Sequence, residues 1–360
     1  MKFSLYLGRY SGIKVFIHWT FSLILIWIFF TSMRSGLSLT DTAWSLFFVL
    51  AIFFCVILHE FGHALTAKRY GIQTKDIILL PIGGLARLEK LPEDPKQELW
   101  VALAGPLVNV VIFLLLSVII ALSGIQLAEM ESVQLRGNTL LLFLASANLI
   151  LAVFNMIPAF PMDGGRVLRA LLSLRMSRVK ATAIAGGIGQ ILAITFVFIG
   201  LFYNPILILI GIFIFLGAQA EVTHTKHNSL LQGFTVSDAM MTRFQVLSYD
   251  APLSKAIEKL LDGQATHFVV VRDDQPCGTL SREEIIKGLN EGNEFIPIET
   301  VANLDPLKLD IYRPLEEAFK EMANQKLKIA LVYEQNHFLG ILDQENISEF
   351  IMVQNAKAKV

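Results

Sequence analysis

The chain has 360 residues, 54% of them hydrophobic and only 17% charged, with a mean hydropathy of +0.57. That excludes an ordinary soluble globule and points to a membrane protein. Charge is divided unevenly: residues 1–220 hold 16 Lys/Arg and 10 Asp/Glu, residues 221–360 hold 14 and 21, so a basic apolar part precedes an acidic, soluble-looking one and no nucleic-acid partner is expected.

Lys2, Arg9 and Lys14 precede an apolar run with no small-residue cleavage pattern behind it. The N-terminus therefore reads as a retained transmembrane helix, not a signal peptide. Six stretches are long enough to cross a bilayer, at roughly 14–33, 44–69, 98–122, 138–157, 181–202 and 205–220. The first holds His18, read as a helix-end histidine at the headgroups beside Trp19, with a metal ligand as the alternative.

The second carries His59-Glu60-Phe61-Gly62-His63. A helix brings residues four apart onto one face, so both histidines can bind one metal ion. Glu60 stands where a carboxylate can take a proton from a metal-activated water. Three ionisable groups in an apolar helix are expensive and mark a functional site. Cys55, one turn earlier, is expected to be a packing residue; with only Cys277 besides, there is no disulfide framework, and a reducing compartment is expected for the tail.

From Asp76 to Glu89 the chain is apolar but too short to span. Gly83-Gly84 reads as a turn between two strand-like pieces. Two readings stand: a hairpin dipping into the bilayer face, whose free edge lines a water-filled site and adds a substrate strand, or a cytoplasmic loop with one buried corner.

The fourth span runs into Asn155-Met156-Ile157-Pro158-Ala159-Phe160-Pro161-Met162-Asp163-Gly164-Gly165. Two prolines and two glycines should loosen the helix near Ile157 and present Asp163 from irregular backbone. Asp163 is the best carboxylate available as a third ligand, since His-His-carboxylate is a known zinc set; a helix cap is its other reading. Asn155 can donate to a developing oxyanion, or bridge helices as Asn109 and Asn148 are expected to do.

Lys/Arg asymmetry sets the orientation. Lys68, Arg69, Lys75, Arg87, Lys90, Lys96, Arg166, Arg169, Arg175, Arg178 and Lys180 lie with the basic N-terminus on one side, against Arg34 and Arg136 on the other. Both termini are thus expected in the cytoplasm, with His59, His63 and Asp163 near that face.

Residues 221–233 read as a polar linker. Two similar units follow, at 234–292 and 293–355, each pairing helices with short strands. The strands His267–Val271 and 328–333 correspond, as do Gly278-Thr279-Leu280 and Gly340-Ile341-Leu342.

Taken together, His59-Glu60-x-x-His63, Gly83-Gly84, Ala104-Gly105-Pro106-x-x-Asn109 and Asn155-x-x-Pro158-x-x-Pro161-x-Asp163-Gly164 resemble the site-2 protease family of intramembrane zinc metalloproteases. The resemblance covers residues 1–220. It implies one zinc ion on His59, His63 and Asp163, Glu60 as general base, and cleavage of a transmembrane segment of another membrane protein. It also favours the membrane-dipping reading of the hairpin. The tail resembles a tandem pair of CBS domains, which often bind adenine nucleotides. The ribose-binding places carry Ser281 and Glu284 in one unit, Asp343 and Asn346 in the other, and neither is the usual Ser/Thr–Asp pair. Nucleotide sensing and a structural or homodimerising role both stay open.

The expected fold is an α-helical polytopic membrane protein with about six transmembrane helices and a small membrane-associated β-hairpin, followed by an α/β CBS pair. The expected function is regulated intramembrane proteolysis in a bacterial inner membrane. The alternative is a CBS-regulated transporter or channel, with His, Glu and Asp lining an ion path.

Overall fold

A computed structural model describes residues 4–81, 83–89, 92–123, 138–263 and 265–357. The chain divides into two compact units, Met1–Thr225 and Lys226–Val360.

The first unit opens with a β-hairpin. Strands β1 (Ser4–Tyr10) and β2 (Ile13–His18) are joined through Ser11 and Gly12, both at positive φ. In β2 the buried Ile13 and Val15 flank the exposed Lys14, a period of two that only a strand satisfies. The expected first span therefore starts too early: helix α1 covers only Phe21–Arg34, and His18 ends a strand, not a helix.

Helix α2 runs from Leu39 to Arg69. The Ser38 hydroxyl accepts from the Asp41 backbone N–H at its start. At its end Gly71 takes positive φ, and the Gly71 and Ile72 N–H groups close back on Lys68 and Ala67. Strand β3 (Thr74–Leu80) then pairs parallel with β2, and β4 (Gly83–Leu88) returns antiparallel on β3. The expected hairpin is thus half of a four-stranded sheet of order β1-β2-β3-β4, with β4 at an edge. The N-terminal residues supply the other half, which apolar run length alone disguised.

Helices α3 (Pro95–Leu122), α4 (Asn138–Asn155), α5 (Asp163–Ser173), α6 (Arg178–Phe202) and α7 (Pro205–Leu231) complete the unit. Asp94 caps α3 and Pro95 occupies its first position, where a missing N–H is harmless. Four of the described helices, α2, α3, α6 and α7, are long and apolar enough to cross a membrane; α1 and α4 are shorter apolar helices. α2 and α3 meet backbone to backbone: a Cβ on Gly62 would lie 2.7 Å from the Ala104 carbonyl oxygen.

Two expectations change here. Arg169 is not a solvent-facing flank charge but fully buried. The expected linker, residues 221–233, is helical as far as Leu231, because α7 continues through it. Lys2, Lys90 and Arg136, also read as flanking charges, lie outside the described residues.

The second unit holds the two expected repeats. One comprises α8 (Val236–Ala239), β5 (Gln245–Ser248), α9 (Leu253–Asp262), β6 (His267–Arg272), β7 (Gln275–Ser281) and α10 (Arg282–Glu291). The other comprises β8 (Lys308–Asp310), α11 (Leu315–Gln325), β9 (Ile329–Glu334), β10 (His337–Asp343) and α12 (Gln344–Lys357). Each sheet has a parallel pair joined by a helix and an antiparallel hairpin. The repeats exchange their leading segments. Leu231, Val236 and Ala239 are buried with Leu309, Met322 and Val332 of the second repeat, while Ile298 is buried with Leu253, Phe268 and Ile285 of the first. Neither repeat therefore has a complete core alone. Leu231→Ala in a fragment 226–360 is expected to lose about 2–5 kcal/mol of stability by urea denaturation; a solvated linker residue would change it by at most about 0.5 kcal/mol.

Candidate metal centre

Helix α2 places His59 and His63 one turn apart on its inner face, each only 5% exposed. Asp163 is the first residue of α5, and Met162 occupies the cap position with no side-chain cap, so the carboxylate is not spent on the helix end. Its Oδ2 lies 3.2 Å from His59 Nε2 and 3.1 Å from His63 Nε2, and the two imidazole nitrogens are 3.1 Å apart. Ligands at about 2.0–2.1 Å from a tetrahedral ion stand about 3.3 Å from one another. The three atoms thus nearly form one face of a zinc tetrahedron. Among the described residues this is the grouping of His, Cys, Asp or Glu able to hold one ion. Cys55 is buried outside it, and His18 bonds instead to Thr20 Oγ1 at 2.7 Å.

Hydrogen bonds on the far side of each ring decide which nitrogen faces the centre. The Val101 carbonyl can only accept, so His63 Nδ1–H donates to it at 2.7 Å and Nε2 keeps its lone pair. For His59 the polarity arrives by relay. The Leu144 carbonyl accepts from Asn148 Nδ2 at 2.9 Å, which turns Asn148 Oδ1 toward Asn109. Asn109 Nδ2 donates to that oxygen at 2.9 Å, which turns Asn109 Oδ1 toward His59 Nδ1–H. His59 Nε2 then also presents a lone pair. The two amides bridge α3 and α4 as expected, and they also fix the His59 tautomer. That second role was not legible in the sequence, because nothing in the spacing ties Leu144 to His59.

Backbone proximity completes the centre. A Cβ on Gly105 would lie 2.2 Å from His63 Nε2 and 2.7 Å from His59 Nε2. Only glycine lets α3 pass this close to the two Nε2 atoms.

Glu60 is half-buried, and its Oε2 accepts from the Ala86 backbone N–H of β4 at 3.0 Å. A Cβ on Gly84 would lie 2.6 Å from Glu60 Cγ. The two glycines read as a turn are in fact the first residues of β4, paired with Leu80 and Leu79. Gly84 thins the strand where Glu60 packs on it, whereas a Cβ on Gly83 would meet nothing within 4 Å. Asn155 ends α4, half-buried, and its side chain takes part in none of the hydrogen bonds among the described residues. Residues 156–162 are irregular, as the prolines require, and Gly164 and Gly165 pack against the backbone of Met156, Ile157, Ala159 and Phe160.

The family model of peptidase family M50 matches residues 47–132 and 123–196, and that of the CBS domain matches 236–291 and 298–353. The zinc metalloprotease MJ0392 of Methanocaldococcus jannaschii is 31% identical, covering 100% of this chain and 99% of the relative. The putative zinc metalloprotease Rip3 of Mycobacterium tuberculosis is 27% identical over 98% of this chain and 94% of its own. The solved site-2 protease from M. jannaschii is 39% identical, covering 61% of this chain and 95% of its own, with a TM-score of 0.46.

Gly105→Ala is expected to abolish metal binding while the helices stay folded. Elemental analysis should fall from about one zinc per chain to near none, with helical circular dichroism unchanged.

Proposed function

This chain belongs to peptidase family M50, the site-2 protease family of intramembrane zinc metalloproteases, and we propose the role of each residue in its site: His59, His63 and Asp163 hold the zinc, Glu60 is the general base, and Asn155 donates to the developing oxyanion. Membership sets aside the transporter or channel alternative. The observation that carries the assignment is the convergence of two oriented imidazole lone pairs and one carboxylate oxygen within 3.2 Å.

Zinc held there supplies Lewis acidity, polarising the scissile carbonyl and lowering the pKa of a water molecule. Glu60 takes the attacking water's proton and passes it to the leaving amine. The Ala86 N–H holds the carboxylate at the strand edge, beside the site where reaction occurs. The substrate is a transmembrane segment of another membrane protein. Its helix must open locally, since each helical peptide group is shielded by its own turn, and the edge of β4 away from β3, to which no strand among the described residues is paired, offers it an extended partner. The irregular backbone at 156–162 gives water a path to the centre.

α1 and α4 join the four long helices to make six spans, with β3 and β4 dipping into the cytoplasmic face. Lys/Arg asymmetry supports cytoplasmic termini in a bacterial inner membrane. The domains run 1–220, 234–292 and 293–355. Glu60→Gln is expected to retain zinc and to reduce cleavage by about 100-fold or more. Proteomics of membrane-protein fragments, wild type against Glu60→Gln, reads this directly; cleavage at the wild-type rate would remove Glu60 as the base.

The CBS pair is the regulatory unit, acting as a homodimerising module, an adenine-nucleotide sensor, or both. A cleft of about 540 Å³ lies between the repeats, lined by Arg243, Thr266, His267, Asp343 and Asn346 among others. Burial would raise the Asp343 carboxyl, but the His267 ring and the Asn346 backbone N–H outweigh it and hold it below the ordinary range, a charge suited to a ribose diol. The Ser281–Glu284 pair is instead closed on itself as a helix-capping box. Nucleotide is therefore expected in the Asp343 cleft, as a saturable thermal shift of fragment 226–360 with ATP, ADP or AMP that Asp343→Ala removes. No shift at millimolar nucleotide would leave the dimerising role alone.

A further inference from the structure

Six residues beyond Asp163 on the same short helix, Arg169 is fully buried. Its guanidinium meets carboxylates from two other helices: Glu98 of α3, at 2.5 and 2.8 Å, and Glu221 of α7. It also lies 5.0 Å from the ring centre of Phe160, in the segment that leads into Asp163. Arg178 at the start of α6 adds a second cation, 3.3 Å from Glu98, and donates to the Pro92 carbonyl at 2.6 Å. Two cations and two carboxylates thus tie α3, α5, α6 and α7 at one point.

A buried ionic network of this kind contributes little net stability over apolar packing, because desolvation offsets most of the attraction. What a forked guanidinium supplies is geometry: several donors in a rigid plane, fixing the elements that bear its partners. Each partner here leads to the metal centre or away from the membrane unit. α5 begins with Asp163 itself. Glu98 lies one turn before Val101, whose carbonyl orients His63, on the helix that also bears Gly105 and Asn109. α7 continues unbroken past Glu221 to Leu231, which is buried in the core of the tail unit.

We propose that Arg169, clamped by Glu98 and Glu221, is a positioning residue for the Asp163 ligand, and that α7 makes its grip answer to the CBS unit. A displacement of α7 moves Glu221, and with it Arg169 and the short helix α5. The Asp163 carboxylate then shifts relative to His59 and His63, while α3 holds the histidines in place. Regulation on this reading changes the metal geometry itself. The inference rests on the ligand roles proposed above.

The test uses the full chain in detergent, with zinc affinity measured by chelator competition and geometry by the visible spectrum of the cobalt-substituted protein. Glu221→Gln is expected to fold and to bind one metal, with affinity lowered about 10–100-fold and an altered cobalt spectrum. Arg169→Lys, which keeps the charge but not the fork, should fall between wild type and Arg169→Met. A Gly-Gly-Gly insertion after Lys226 should shift affinity and spectrum in the wild-type background and add nothing to Glu221→Gln. Unchanged affinity and spectrum in Glu221→Gln, or an insertion that acts equally with and without Glu221, would overturn the proposal. Metal binding that survives His59→Ala and Asp163→Ala unaltered would overturn the ligand assignment beneath it.

Discussion

Two imidazole nitrogens and one carboxylate oxygen, each presenting a lone pair, meet within 3.2 Å of one another. Three such donors repel unless a cation or proton sits among them, and in apolar surroundings that repulsion is weakly screened. Much of the first unit serves to hold them in place. α2 supplies the two imidazoles, α5 the carboxylate, and α3 supports both rings.

That support depends on small residues and on committed polar groups in equal measure. Gly62 and Gly105 let α3 approach α2 until backbone carbonyls and amides can reach the imidazoles. The Val101 carbonyl and the Leu144–Asn148–Asn109 relay then leave one tautomer available to each ring. The same economy appears at Glu60, where Gly84 clears the space and the Ala86 N–H anchors the carboxylate. The Glu60 carboxylate is thereby bound to the last strand of the sheet.

The tail is organised by exchange. Each repeat borrows a leading segment to close the other's core, and the first borrowed segment begins on the helix that leaves the membrane unit, with Leu231. A pair built this way folds as one compact unit.

Much of the site was legible in the sequence. His59, Glu60 and His63 declare themselves through helical spacing, and the prolines after Asn155 require the irregular backbone that presents Asp163, because these are local rules of geometry. The N-terminal sheet was not legible: an apolar run near a basic terminus satisfies the length criterion for a span, and only pairing with β3, far along the chain, makes Ile13–His18 a strand. Gly83-Gly84 reads as a turn in isolation but opens β4, and Glu60 packs on that strand at Gly84. Arg169 reads as a cytoplasmic flank charge until Glu98 and Glu221 close around it. By itself the sequence determined which residues are candidates to carry chemistry, since residue type and periodicity are local properties. Which carbonyl orients each ring, which glycine admits a helix, and which carboxylates bury an arginine depend on contacts between distant segments, and those only the tertiary structure decided.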